Sequence, residues 1–187
     1  MSIDELLDYL AGLVVGDGDL YHRKRKGEYR IRISDSSKEF LESVSKLIRK
    51  TLSINTKIYK HRKYNCFILT MYSKNLFFEL RRRITANIEK PSIAFVRGLL
   101  DAEGGVSKSV RGSIRIHFTN KDVRLINSYV RVLNNLGIKY YVTKTGSKYK
   151  VFVQNKENTC KLISMLNPLH PKIKLKYQNL TGMQCLP

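Results

Sequence analysis

Two acidic residues, each followed by a glycine, occupy the same place in two similar segments of the chain. Asp17 lies in YLAGLVVGDGD, and Glu103 lies 86 residues later in FVRGLLDAEGG. If each segment is helical, each carboxylate stands at a helix C-terminus, where the helix dipole disfavours it by about 0.3–1 kcal/mol. Two such acids side by side also repel each other. A divalent cation between them relieves both effects, and oxygen ligands suit Mg²⁺. The pair therefore predicts a divalent-cation site.

Small residues at four-residue spacing precede both acids and indicate how the acids come together. Gly12 and Gly16 recur in the first segment, and Ala94, Gly98 and Ala102 recur in the second. This spacing puts them on one face of a helix, where missing side chains let two backbones approach closely. Glycine within a helix costs about 1 kcal/mol relative to alanine, so we infer a contact that needs the space. We expect a helix interface at Gly12, Gly16, Gly98 and Ala102.

Each of these features alone has an ordinary structural explanation. An Asp–Gly pair such as Asp17-Gly18 usually forms a tight turn, and a single helical glycine usually serves packing. However, the whole arrangement, small residues followed by an acid and a glycine, is duplicated within two matching halves. The duplication favours a functional pair over two unrelated turns.

The segments that follow the two acids also repeat, and they predict the same order of elements in both halves. A strand pair with apolar residues at alternate positions comes first, then a helix, a second strand pair and a last helix. The middle helices are entered through segments with the form of a capping box, Ser36–Glu39 and Thr119–Asp122. We expect an α+β fold of two pseudo-symmetric αββαββα repeats with antiparallel sheets and a central two-helix interface. The predicted strands and last helices are 19–25, 28–34, 54–60, 64–72 and 73–83, then 105–110, 113–119, 138–144, 149–154 and 156–166.

The overall charge indicates the class of partner. The 187 residues include 35 Lys and Arg against 15 Asp and Glu, a formal net charge of +20 and a pI near 10.0. Such a charge repels itself in a compact chain and is typical of proteins that bind a nucleic acid. Because 42% of the residues are hydrophobic, the chain is not a disordered basic tail. Charge alone does not distinguish DNA from RNA.

The repeats divide the chain into four parts. Residues 1–83 form the first repeat, 84–90 a linker and 91–167 the second repeat, with Pro91 suited to the first turn of its motif helix. Residues 168–187 carry several lysines. We expect this last part to be a basic C-terminal tail that packs loosely or lies on the nucleic acid.

The cysteines and the N-terminal residues bear on the compartment. Cys66, Cys160 and Cys185 are odd in number and lack metal-ligand spacing, so we expect neither a disulfide framework nor a zinc site. Acidic residues precede the first apolar stretch, unlike a signal peptide, and no apolar run reaches the length of a membrane span. We expect an intracellular protein of the cytoplasm or nucleoid, with no membrane partner.

The two motifs resemble those of a known enzyme family. Leu10–Gly18, LAGLVVGDG, and Val96–Gly104, VRGLLDAEG, are similar to the paired motifs of monomeric LAGLIDADG homing endonucleases of the archaeal intron-encoded type. The resemblance extends from about residue 5 to 167. It implies two saddle-shaped sheets that grip double-stranded DNA in the major groove, with the motif acids over the minor groove. It also implies a monomer that cuts both strands of a long, nearly asymmetric target and leaves 3′ overhangs.

The resemblance assigns roles at the cleavage site. Asp17 and Glu103 would be catalytic metal ligands for Mg²⁺, or for another divalent ion such as Mn²⁺, with backbone carbonyls of Gly16 and Ala102 as further ligands. Family members often add a lysine at the start of the middle helix, near the attacking water. Lys121 matches this catalytic position in the second half, although a solvated lysine in a first helical turn is a plain alternative. Ser36 occupies it in the first half, so Lys38 is the candidate substitute.

The strand faces supply candidate DNA contacts. Basic and aromatic residues alternate with the apolar positions of the strands, and two more arginines lie on the first hairpin. Arginine can read guanine bidentately, whereas lysine more often meets phosphate. Any one of these residues could instead be an ordinary solvated side chain. The candidates are Arg23, Arg25, Arg30, Arg32, Lys57, Tyr59, Arg115, His117, Lys139 and Tyr141, whereas His22, His61 and His170 have no partner pattern and receive no role.

Two other functions use the same kind of chain. An RNA maturase would use the same fold and charge to help an intron splice, and some maturases retain the acids. A non-catalytic DNA-binding regulator would lose one or both acids, but Asp17 and Glu103 are both present. The retained acids favour cleavage.

Overall fold

The protein consists of two similar halves followed by one further helix. The computed structural model describes residues 1–109 and 112–182. The first half contains α1 (Ile3–Asp17), β1 (Gly18–Arg23), a short 3₁₀ helix (Lys24–Lys26), β2 (Glu28–Asp35), α2 (Lys38–Leu52), β3 (Thr56–Lys60), β4 (Phe67–Tyr72) and α3 (Lys74–Glu89). The second half contains α4 (Ile93–Glu103), β5 (Gly104–Lys108), β6 (Ile114–Asn120), α5 (Val123–Asn135), β7 (Tyr141–Thr145), β8 (Lys148–Gln154) and α6 (Lys156–Leu166), and α7 (Pro171–Thr181) follows.

Each half builds one antiparallel sheet of four strands. The strand orders are β1-β2-β4-β3 and β5-β6-β8-β7, so the two sheets have the same topology. Alternating Ile31 and Ile33 of β2, and Ile116 and Phe118 of β6, are buried under the helices. The other strand face carries the polar residues, as the two-residue period requires. The predicted α+β fold of two αββαββα repeats is confirmed.

The middle helices begin later than predicted. Ser37 is the N-cap of α2 and accepts a hydrogen bond from Phe40 N, and Asp122 is the N-cap of α5 and accepts from Arg124 N. The predicted capping boxes from Ser36 and Thr119 are therefore wrong. At the preceding strand ends, Asp35 accepts a hydrogen bond from Ser37 N and Asn120 accepts one from Asp122 N. These side-chain turns accompany helix starts that lie one residue later at α2 and three residues later at α5.

The predicted linker 84–90 is mostly helical. Helix α3 continues to Glu89, because Ile84 and Ile88, four residues apart, pack against the core. Asn87 is buried at this end and accepts a hydrogen bond from Ser92 N. Ser92 is the N-cap of α4, so only a few residues separate the two helices.

The predicted loose packing of the C-terminal tail is wrong for its described residues, whereas its contact with nucleic acid stays a prediction. His170 caps α7, with Pro171 in the first turn. Ile173 and Tyr177, four residues apart, are fully buried, and the Tyr177 hydroxyl lies 3.0 Å from Thr159 Oγ1 of α6. The helix contacts β5 and β6. Residues 183–187 of the predicted tail, and Val110 of the predicted strand 105–110, lie outside the described residues.

Two candidate DNA contacts lie outside the strands predicted for them. Strand β1 ends at Arg23, so Arg25 belongs to the 3₁₀ helix that leads to Gly27, whose φ of 60° suits glycine. Strand β7 begins only at Tyr141. Lys139 lies in the preceding connection, because its backbone N–H donates to Asn158 Oδ1 of α6 rather than to a neighbouring strand. None of the helices within residues 1–109 and 112–182 is long and apolar enough to span a bilayer.

Candidate functional site

The two motif helices, α1 and α4, meet at their small residues. A Cβ atom added to Gly12 would lie 2.2 Å from Phe95 O, and one added to Gly98 would lie 2.3 Å from Tyr9 O. At Gly16 an added Cβ would lie 2.5 Å from Ala102 Cβ. These distances are far below van der Waals contact, so the backbones approach as closely as the four-residue spacing predicts. The central two-helix interface brings both helix C-termini together.

Asp17 and Glu103 lie at these adjoining C-termini and are both partly buried. Burial raises the pKa of Asp17, and burial followed by the charge of Asp17 raises the pKa of Glu103. Each acid therefore resists ionisation, the second partly because of the first. A cation at this position removes both penalties.

The side of the pair that contains Glu103 is lined by residues of the second half. An open pocket brings together Val15 and Gly16 of α1 with the end of β6, the start of α5 and Lys148 of β8. Asn120 Nδ2 lies 3.5 Å from Glu103 Oε1. We call this side the Glu103 flank, and it consists of Gly16, Glu103, Asn120, Lys121 and Lys148. The predicted lysine, Lys121, thus lies in the same pocket as Glu103.

The opposite side is built differently, and we call it the Asp17 flank. Lys172 Nζ, from the first turn of α7, donates a hydrogen bond of 2.5 Å to Ala102 O. Among charged groups, Lys172 has the largest effect on the pKa of Asp17, which it lowers, and Asp35 follows with the opposite sign. The Asp17 flank consists of Asp17, Asp35, Ala102, His170 and Lys172. Lys38, the predicted substitute, instead forms an exposed ion pair of 2.9 Å with Glu42.

A buried histidine–carboxylate hydrogen bond and a second buried carboxylate hold the start of α7 in this flank. His170 Nε2 lies 3.0 and 3.1 Å from the two carboxylate oxygens of Asp35, and the imidazole stacks on Phe40 at 4.3 Å. Fully buried Asp101 accepts hydrogen bonds from the N–H groups of Leu169 and His170 and from the hydroxyl of Tyr9. Burial acts to raise the pKa of Asp35, but hydrogen bonds from His170 and from Ser37 N outweigh it and lower the pKa.

The sequence interpretation missed four residues of this region: Asp35, Asp101, His170 and Lys172. A local signal existed for two of them. Asp35 and Asn120 both follow the apolar alternation of β2 and β6, and His170 before Pro171 has the form of a helix N-cap. No local pattern connects Lys172 with Ala102.

The exposed face of the first sheet carries five predicted DNA contacts. Arg32 and Lys57 both pair with Thr70 of β4, one from each side, and Tyr59 lies two residues after Lys57 on the same face. Arg32 is held by Asp19 through two hydrogen bonds of 2.6 and 2.9 Å. Arg30 stacks over the Tyr21 ring at 4.8 Å. Exposed Arg23 lies at the end of β1.

The second sheet carries equivalent residues with different chemistry. His117 and Tyr141 both pair with Phe152 of β8, and Arg115 donates to the Tyr141 hydroxyl at 3.2 Å. Burial, followed by nearby lysines, lowers the pKa of His117 to about 4, so the imidazole is neutral near pH 7. Within the described residues, Arg30 Nε, Arg115 Nε and His117 Nδ1 are buried and make no hydrogen bond. Both faces therefore carry a buried polar atom that no described residue satisfies.

The residues at the acid pair fit a divalent ion. Among residues 1–109 and 112–182, no three His, Cys, Asp or Glu side chains cluster as a metal site. The predicted ligand set accordingly combines two carboxylates with the backbone oxygens of Gly16 and Ala102. An ammonium group already donates to one of these oxygens, so the position accepts a cation.

Comparison with known proteins gives one consistent result. The model of the LAGLIDADG-like domain matches residues 4–85 and again 90–167. Homing endonuclease I-DmoI of Desulfurococcus mucosus is 32% identical over 91% of this chain and 94% of its own length. The crystal structure of I-DmoI in complex with DNA and Ca superposes with a TM-score of 0.71 at 26% identity, covering 95% of this chain and 100% of that one.

Two further structures are similar. I-DmoI bound to nicked target DNA in the presence of Mn has a TM-score of 0.69 at 25% identity, over 89% of this chain and 98% of that one. Full-length DUF199/WhiA from Thermatoga maritima has a TM-score of 0.66 at 15% identity, over 96% of this chain and 60% of that one. The second similarity concerns the fold alone.

Proposed function

The chain belongs to the LAGLIDADG family, and from that premise we propose that it is a homing endonuclease that cuts both strands of a specific DNA duplex. The observation that carries the proposal is the pair of motif carboxylates, Asp17 and Glu103, held side by side by the contact of Gly12 with Gly98. Because one chain contains both acids, a monomer suffices. The proposed products carry 3′ overhangs, as the family resemblance implies.

The two sheets are the proposed DNA-binding surface. A net charge of +20 supports binding to a polyanion, and the guanidinium groups of Arg30 and Arg115 on the two sheets are of the type that reads base edges. I-DmoI crystals that contain target DNA support the same partner class. Direct contacts are proposed for Arg23, Arg25, Arg30, Arg32, Lys57, Tyr59, Arg115, His117, Lys139 and Tyr141.

Asp17, Glu103 and the carbonyl oxygens of Gly16 and Ala102 are the proposed ligands of a divalent cation, Mg²⁺ or Mn²⁺. When bound, the ion supplies an activated water and stabilises negative charge at phosphorus. The Ca and Mn complexes of I-DmoI support a divalent ion. The chain contributes the position of the ligands and, in the Glu103 flank, the charge of Lys121. That ammonium can orient the attacking water and stabilise the transition state.

Selection from a random duplex DNA library tests the proposal. The protein is incubated with the library and Mg²⁺, and ligated ends are sequenced to recover cleaved sites. We expect one long, nearly asymmetric site cut on both strands with 3′ overhangs, and no products in EDTA. A protein that binds selected duplexes but cuts none would be a DNA-binding regulator, and the proposal would be wrong.

A further inference from the structure

The two flanks differ at equivalent positions. Asn120 pairs with Tyr149 in the second sheet, and Asp35 pairs with Phe67 at the same place in the first sheet. Asn120 therefore corresponds to Asp35, and Tyr149 corresponds to Phe67. Lys121, which follows Asn120, therefore corresponds to Ser36, which follows Asp35. Lys148, which precedes Tyr149, corresponds to Cys66, which precedes Phe67. The Glu103 flank therefore has two lysines where the corresponding first-half positions are uncharged.

Lys172 lies in the Asp17 flank, whose first-half residues lack the two lysines of the Glu103 flank. Its ammonium donates to Ala102 O, and Ala102 corresponds to Gly16, whose backbone lies in the Glu103 flank. The positive charge of Lys148 lowers the pKa of Glu103 more than that of Lys172 does. For Asp17, Lys172 is the cation with the largest effect on the pKa. Each motif acid thus has its own principal lysine.

The anchoring of α7 gives Lys172 a defined position. The two residues before Pro171 are bonded through their backbone N–H groups to buried Asp101, and the His170 side chain is paired with buried Asp35. Lys172 N donates to His170 Nδ1 at 3.0 Å. These contacts attach the first turn of α7 to elements of both halves, so Lys172 does not depend on a long flexible tail for its position.

We propose that Lys172 is the basic residue of the Asp17 flank and contacts the scissile phosphate of one DNA strand, where it stabilises the transition state as the proposed function has Lys121 do for the other strand. The inference rests on the proposed function. In the hydrolysis, the water oxygen bonds to phosphorus, the P–O3′ bond breaks, one water proton passes to the 3′ oxygen and the other is released from the 5′-phosphate. Lys172 exchanges no proton, and its positive charge stabilises the extra negative charge on the phosphate in the transition state.

Strand-resolved cleavage of an end-labelled, selected duplex tests this role. Lys172→Met removes the charge and keeps the chain length, and Lys121→Met is the matched variant of the other flank. We expect each variant to slow a different strand by roughly ten- to a thousand-fold, so that nicked duplex accumulates, and Lys172→Arg to recover much of the rate. Lys174→Met removes the same charge from α7 about 200° around the helix and should leave both rates unchanged. Equal slowing of both strands by Lys172→Met, or no slowing, would overturn the proposal.

A titration of the DNA-free protein with Mn²⁺ gives a readout that needs no cleavage. Because the Lys172 ammonium repels a divalent ion bound at Ala102 O, Lys172→Met should bind Mn²⁺ about fivefold or more tightly than the wild type. Lys174→Met should bind as the wild type does, and thermal melting confirms that each variant is folded. Equal Mn²⁺ affinities would show that Lys172 does not act at the acid pair. If the wild type cuts no duplex, the proposed function fails, and the Mn²⁺ titration alone decides whether Lys172 acts there.

Discussion

The two flanks of the acid pair have the same backbone and different side chains. In the Glu103 flank, β6, α5 and β8 of the second half supply Asn120, Lys121 and Lys148. In the Asp17 flank, the corresponding first-half positions carry Asp35, Ser36 and Cys66, and α7 supplies Lys172 instead. A duplicated fold therefore constrains where a functional group must lie more strongly than which segment provides it.

The same difference extends to the sheets. Arg32 and His117 occupy equivalent places, and so do their partners Asp19 and Gly105. The first sheet has an ion pair at this place, whereas the second has a neutral imidazole against a glycine. Two unlike surfaces suit a target without twofold symmetry, since each half meets a different base sequence.

The largest expected effect comes from the two acids, one of which lies in each flank. Asp17→Asn and Glu103→Gln should each reduce double-strand cleavage by roughly a thousand-fold or more, because each removes a ligand charge. DNA affinity should be unchanged or higher, since a negative charge is lost from a basic surface. Plasmid cleavage and gel-shift titration measure the two quantities, with Glu42→Gln at an exposed position of α2 as the charge-matched control. Normal cleavage by either variant would contradict the assignment of these two acids as metal ligands.

Lys121→Ala should affect one flank only. We expect one strand to be cut roughly ten- to a thousand-fold more slowly, with the other nearly unchanged, because the lysine serves one attacking water. Lys38→Ala is the comparison within the first half, and it should change neither rate because Lys38 pairs with Glu42. End-labelled duplex resolves the two strands. If both strands slow equally after Lys121→Ala, the flanks are not separate centres.

Asp35→Asn removes the carboxylate of the buried His170–Asp35 hydrogen bond, which is specific to the Asp17 flank. The unfolding free energy should fall by about 2 kcal/mol near pH 6, because His170 loses a charged partner. The folded pKa of Asp35 lies below its ordinary value of 3.8, so this contribution is present above pH 3.8 and is lost as pH falls through the folded pKa. Urea unfolding should show a smaller difference in unfolding free energy between Asp35→Asn and the wild type at pH 3 than at pH 6. Asn120→Ala, at the equivalent uncharged position of the second half, should differ from the wild type by the same amount at both pH values. A difference that does not change with pH for Asp35→Asn would contradict the pairing.

Asp19→Asn should produce the smallest effect and make the two sheets more alike. The change releases Arg32 from a partly exposed ion pair, so DNA should bind a few-fold more tightly. The slope of log K against log[salt] should steepen by about 0.9, as one further phosphate is neutralised. Fluorescence anisotropy at several salt concentrations measures both, again with Glu42→Gln as the control. An unchanged slope would mean that Arg32 reads a base or contacts no DNA.

The sequence alone is sufficient to predict the features that repeat at a regular spacing along the chain. Alternation at Ile31 and Ile33 predicts a strand, and four-residue spacing at Gly12 and Gly16 predicts a close helix contact, because backbone geometry imposes both periods. Duplication then doubled each signal and located the acid pair. The strand and helix order and the central interface follow from these patterns.

The remaining features depend on contacts between distant parts of the chain. Asp35 and His170 are 135 residues apart, and Lys172 reaches Ala102 over 70 residues. Neither pair leaves a period in the sequence, so residues 168–187 predict only a basic tail that packs loosely or lies on the nucleic acid. Its apolar residues Ile173 and Tyr177 become informative only when β5, β6 and α6 form the surface that buries them. Tertiary structure therefore decided which lysine lies beside Asp17, because only folding brings α7 to the end of the motif helices.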